Sequence, residues 1–194
     1  MNYRKMLLGT FVICSVCFVL VSCGGSARNA AMIDQTKMLY LQNNIHAQEA
    51  GGKYRGSYSN WVELSFGHIF VPVNSVVNIE LGRNSFDIID RSTGKRLEME
   101  YDQERMRMPV EEYIRIITAT APVNFDNLPD IDKKGIKDGK PYIGMTKQGI
   151  RIALGYPARH RTASLEADTW VYWRGRFGTR AVDFNESGKV ERIR

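Results

Sequence analysis

Catalysis near neutral pH needs a nucleophile or a titratable group held close to its working range, and this chain offers few. Its three histidines, His46, His68 and His160, show neither His-x-His nor HExxH spacing and have loop-like neighbours. They therefore read as surface or hydrogen-bonded residues, and no metal site is expected. Glu98 and Glu100 share one strand face. A general acid/base pair needs a cleft that moves its pKa values apart, so as an exposed pair they read as solvated carboxylates. No G-x-S-x-G serine occurs, and Gly51-Gly52 and Leu81-Gly82-Arg83 lack the strand-to-helix setting of a phosphate loop. No catalytic residue and no cofactor are expected; the chain reads as a binder.

One constellation suits binding. Trp173-Arg174-Gly175-Arg176-Phe177 with Arg180 places aromatics and arginines around a hairpin tip, and Arg159-His160-Arg161 adds positive charge in the preceding loop. Arginine and aromatic side chains dominate interface hot spots, and the same mixture suits anionic lipid at a membrane surface. The competing reading packs Trp170 or Trp173 on the helices and leaves the arginines solvated.

The cysteines point to an address rather than to a reaction. Cys23 closes Leu20-Val21-Ser22-Cys23, behind a basic start at Arg4-Lys5 and an apolar and small-residue run from Met6 to Ser22. Seventeen residues are marginal for a hydrocarbon core of about 30 Å, and the pattern matches a secretory leader that is cut off. A cysteine directly after the small residue resembles the lipobox of bacterial lipoproteins. That resemblance implies a diacylglyceryl thioether on Cys23, cleavage before it and acylation of the new amine. Two or more chains, at about 0.8 kcal/mol per buried methylene, hold a protein on a membrane durably. Gly24, in place of an acidic residue, goes with sorting to the outer membrane. Cys14 and Cys17 leave with the leader, so the mature chain has neither an internal disulfide nor a CxxC redox site.

Removing residues 1–22 from 194 leaves 172, enough for one ordinary domain or two small ones. Of 27 basic and 21 acidic residues, Arg4 and Lys5 leave with the leader, so the mature chain carries a mild positive excess of four. An exported protein does not meet chromosomal DNA, so no nucleic-acid partner is expected. Anionic lipid or an acidic protein face fits the charge.

Residues 23–37 are small and polar and read as a lipidated tether. Residues 38–120 are strand-rich: Leu39 to Ile45, Ile69 to Val73, Val76 to Leu81 and Phe86 to Ile89 are separated by turns at Gly82-Arg83-Asn84 and Ser92-Thr93-Gly94-Lys95. Leu97, Met99 and Tyr101 alternate with Glu98 and Glu100, as a half-buried antiparallel strand requires. A small β-barrel or rolled antiparallel sheet is expected. Pro109 opens a short helix whose apolar stripe, Val110, Tyr113, Ile114 and Ile117, closes that unit. Residues 121–129, with Pro122 and Pro129, read as a linker.

Residues 130–194 have the clearest local grammar. A modest helix spans 130–140. Thr146 caps a second helix from Lys147 to Leu154, ended by a left-handed turn at Gly155 and by Pro157. Gly149 replaces the Glu or Gln of a capping box, so this helix needs tertiary support. Strands 168–174 and 179–184 follow. A last one, 189–193, breaks strict alternation because Val190 and Ile193 differ in parity.

The order Gly144-Met145-Thr146, Ala153-Leu154-Gly155-Tyr156-Pro157, Asp168-Thr169-Trp170-Val171-Tyr172, Val182-Asp183-Phe184 and Gly188-Lys189-Val190 resembles the SmpA/OmlA (BamE-like) domain of outer-membrane lipoproteins. The resemblance covers roughly residues 130–193 and implies an α+β chain ending in two helices on a three-stranded antiparallel sheet. It further implies a role in outer-membrane β-barrel assembly or envelope integrity, exercised by binding partner proteins. The β-rich middle, with Val71-Pro72-Val73-Asn74, resembles bacterial SH3-like modules. The competing function is a periplasmic inhibitor or ligand-sequestering lipoprotein; an envelope hydrolase lacks a residue set to carry it.

Overall fold

The computed structural model describes residues 38–83 and 85–194. The expected leader, Cys23 and the tether lie outside the described residues. The described part belongs to one compact unit and is α+β. Strands β1 (Leu39–Leu41), β2 (Ile45–Ala50), β3 (Lys53–Ser57), β4 (His68–Val71), β5 (Val76–Leu81), β6 (Ser85–Asp90) and β7 (Arg96–Glu100) come first. Helices α1 (Gln103–Met106) and α2 (Val110–Ile117) and the short β8 (Thr118–Ala119) follow. Then come α3 (Asp130–Asp138), α4 (Lys147–Leu154), β9 (Thr169–Trp173), β10 (Thr179–Phe184) and β11 (Val190–Ile193).

The first sheet has eight strands in the order β4-β2-β3-β7-β6-β5-β1-β8 and curls without closing, since β4 and β8 remain edges. Two features depart from the antiparallel roll expected from the sequence. The β3–β7 pair is parallel, and β2 and β3 form where Ile45–Ala50 and Lys53–Ser57 show no clean alternation. For β2 the cause is burial on both faces: Ile45 and Ala47 enter the core of the curled sheet, while His46 between them is fully buried on the other side. Elsewhere the pattern is regular. Leu97 and Met99 point inward from β7 and Glu98 and Glu100 outward. Tyr113, Ile114 and Ile117 of α2 cover the concave side, each fully buried large side chain stabilising by about 1.5–3 kcal/mol.

The second sheet, β11-β10-β9, is antiparallel, and α3 and α4 share its apolar core through Ile136, Ile150, Leu154, Trp170, Tyr172 and Val182. Gly149 has a packing reason. The buried carboxylate of Asp132 on α3 occupies the space a Cβ would need, accepting from Thr146 N at 2.8 Å and Thr146 Oγ1 at 2.6 Å, while Thr146 Oγ1 accepts from Gly149 N. Asp132 thus supplies from a neighbouring helix the acidic half of the missing capping box. Gly155 has φ +83° and ψ −169°, outside the left-handed helical turn expected there and in a region essentially reserved for glycine. The parity fault in β11 is a register shift: Asp183 faces Arg192 and Phe184 faces Val190, so Glu191 is extra.

The two sheets meet along a seam of uncharged polar groups. Buried Asn44 donates to Ile136 O (2.8 Å) and Ala153 O (3.2 Å) and accepts from Val73 N (2.8 Å). His46 Nε2 lies 2.8 Å from Ala153 O and must donate to it, which leaves Nδ1 to accept from His68 Nε2 at 3.0 Å. Loop-like surroundings are thus wrong for two of the histidines: His46 and His68 sit on the paired strands β2 and β4. Burial pushes the His46 imidazole down to about 4, with the His68 charge adding to it.

Candidate binding site at the β9–β10 hairpin

A second seam lies at the far end of β9. Beyond β3 the chain turns through Tyr58–Asn60, where Asn60 adopts a positive φ of 50°, and Trp61 and Val62 then run parallel beside the end of β9. Val62 N donates to Trp173 O at 2.9 Å. Beyond β7, the parallel neighbour of β3, the chain turns instead into α1. Two adjacent parallel strands whose continuations part company leave a crevice at their carboxyl ends, the geometric reason open sheets bind ligands there. The crevice holds about 370 Å³, lined by Ser57, Ser59, Trp61, Glu100, Arg105 and Trp173, with Tyr58, Gly175 and Arg176 completing it. That volume is at the small end of ligand sites.

Of the sequence-derived binding residues Trp173 and Arg176 line the crevice, and the others lie on the same hairpin or in the loop that packs on it, in three groups. Trp173 is half-buried and stacks on His160, ring centroids 6.3 Å apart at 26°. Trp170, by contrast, is buried in the core against Phe184. Arg174 and Arg180 both reach Glu63, Arg174 at 3.4 Å and Arg180 in direct contact, so one carboxylate clamps the two sides of the hairpin. Arg176 and Phe177 stand at the tip. Phe177 is 90% exposed, and Arg176 is exposed with no acidic partner among the described residues. Arg159 and Arg161 are exposed on either side of His160, whose N–H donates to Arg105 O at 2.9 Å, bringing that loop onto α1.

Electrostatics agree with this crowding of cations. Burial lowers the pKa of the His160 imidazole, and the Arg105 and Arg161 charges lower it further. Arg105 donates to Tyr58 Oη at 3.1 Å and pairs with Asp102 at 3.4 Å. Buried Trp173 Nε1 and His160 Nδ1 have no hydrogen-bond partner among the described residues. Glu98 pairs with Arg55 on the exposed sheet face at 3.4 Å, while Glu100 lines the crevice, so the two glutamates serve different surroundings. No group of three or more His, Cys, Asp or Glu among the described residues could hold a metal, and none of their helices is long and apolar enough to cross a membrane.

Sequence reasoning missed Ser57, Tyr58, Ser59, Trp61, Glu63 and Arg105. The only signal for Glu63 was its acidic charge beside Trp61, and its arginine partners lie 111 and 117 residues away. No family model matches this chain, and no curated protein or solved structure is significantly similar to it.

Proposed function

We propose that this chain is a lipid-anchored adaptor on the periplasmic face of the bacterial outer membrane. Acylated Cys23 is its anchor and the β9–β10 hairpin its contact with an envelope protein, one that serves β-barrel assembly or envelope integrity. The observation that carries the reading is the hairpin tip. Leaving Phe177 in water costs hydrophobic free energy, which a partner would recover, and Glu63 holds the loop that presents it. The two helices and three-stranded antiparallel sheet of residues 130–193 support an SmpA/OmlA-like role for that part of the chain.

The test is made in intact cells, with a photo-crosslinking residue at position 177 and radiolabelled fatty acid. The adaptor reading expects label on the mature chain that Cys23→Ser abolishes, and crosslinks to one or a few envelope proteins. A mature chain free in culture fluid with an unmodified thiol, or position 177 capturing nothing, would reject it.

A further inference from the structure

We infer that the crevice between the Tyr58–Trp61 turn and the β9–β10 hairpin binds an acidic peptide segment, an apolar side chain resting against half-buried Trp173 and flanking carboxylates meeting the arginines. This deepens the adaptor reading and rests on it only for the partner being a protein.

The charge of the mouth sets the sign of the ligand. Arg105 and Arg176 line the crevice, Arg176 exposed and without an acidic partner among the described residues, and exposed Arg159 and Arg161 flank the His160 that stacks on Trp173; against them stand Glu100 in the lining and Asp102, paired with Arg105. Guanidinium forks bind carboxylates in two-pronged fashion, which is a reason to find arginine rather than lysine there.

The lining sets the ligand's kind. A base or sugar ring would need a free indole face, but Trp61 is only 5% exposed and Trp173 is stacked on His160. A bilayer can reach the protruding Arg176 and Phe177, yet it cannot reach the crevice floor at Ser57 and Ser59, 2% and 6% exposed. A peptide can enter. Its amides suit a wall that offers guanidinium donors and the Glu100 acceptor together, and the small volume admits only a short segment.

Two of the three tryptophans, Trp61 and Trp173, line the site, so indole emission reports occupancy directly. The full mature chain in detergent is titrated with a capped peptide in which glutamates flank one phenylalanine, with its lysine counterpart, and with phosphatidylglycerol vesicles. The glutamate peptide is expected to bind saturably and to weaken as salt rises. Arg176→Glu should raise its Kd about tenfold and Glu100→Lys should lower it several-fold, with melting temperatures unchanged in both. Equal affinity for the lysine peptide overturns the inference, as does a Kd unmoved by both charge reversals, or a change of emission only with vesicles. Failure of the adaptor reading looks different: the peptide still binds in solution while position 177 captures nothing in cells.

Discussion

The two sheets are joined at two seams built from opposite materials. At the first, Asn44 and His46 are fully buried, uncharged and hydrogen-bonded to the backbone of α3 and α4. At the second, exposed arginines and half-buried Trp173 border an open crevice, and one carboxylate shared by two arginines holds the hairpin beside it. Buried directed bonds in a low dielectric are costly to break and fix geometry, whereas solvated ions contribute little stability and remain available to a ligand. The first seam should therefore govern folding and the second recognition, and substitutions can separate the two.

The largest effect is expected at Asn44. Asn44→Ala removes three hydrogen bonds of about 0.5–1.5 kcal/mol each and strands the Val73 N–H at about 1–3 kcal/mol, while the Ala153 and Ile136 carbonyls keep His46 Nε2 and the Gly139 N–H. A loss of at least about 3 kcal/mol is expected in urea denaturation at unchanged m-value. A loss under 1 kcal/mol would remove the seam's structural role.

Acid should attack the same seam. Folded His46 takes its proton near 4 and the unfolded chain near 6.5, so between those values the unfolded state binds more protons. Stability is then complete above about pH 6.5 and falls as pH drops toward 4, by about 3 kcal/mol in all. Burial lowers the His68 pKa too, which adds in the same direction. The urea midpoint followed from pH 7.5 to 4.5 should decline in the wild-type chain and much less in His46→Asn. Parallel curves would assign the acid sensitivity elsewhere.

How far these seams could be read from the sequence differs in the same way. Local signals located α2 and α4, since the stripe Val110, Tyr113, Ile114, Ile117 and the Thr146 cap are decided within one or two turns. They also placed the hairpin, because aromatic strands flanking glycines leave few alternatives. Strands β2 and β3 stayed hidden: Ile45, His46 and Ala47 are buried on both faces of β2 by groups far away in sequence, and no two-residue period records that. The arginines and Trp173 were legible as binding types. That Arg174 and Arg180 are half spoken for by Glu63, and that Arg105 joins the mouth, depends on contacts across 47 to 117 residues.

Gly149→Ala tests how firmly α4 carries the first seam. Alanine in a helix interior ordinarily stabilises by about 0.5–1 kcal/mol, but here its methyl would meet the Asp132 carboxylate that holds Thr146. The clash should win, for a net loss of about 1–2 kcal/mol, because Asp132 is fully buried and the helices cannot part without disturbing the Asn44 and His46 bonds to Ile136 and Ala153. Any gain in melting temperature would show that the helix pair adjusts freely.

The smallest effect on stability and the most telling on binding is expected from Glu63→Gln. Its carboxylate is 44% exposed and bridges two arginines at the surface, where ion pairs contribute under about 1 kcal/mol. Removing its charge frees Arg174 and Arg180 without touching the Trp61–Trp173 backbone pairing that positions the hairpin. The melting temperature should barely move, while affinity for the glutamate peptide rises and becomes more salt-dependent, since two further unpaired cations stand with Arg176 on the hairpin. If the clamp instead sets the shape of the tip, the same variant will lose affinity at unchanged stability. The direction of that one change decides whether Glu63 acts on the ligand through charge or through the hairpin's geometry.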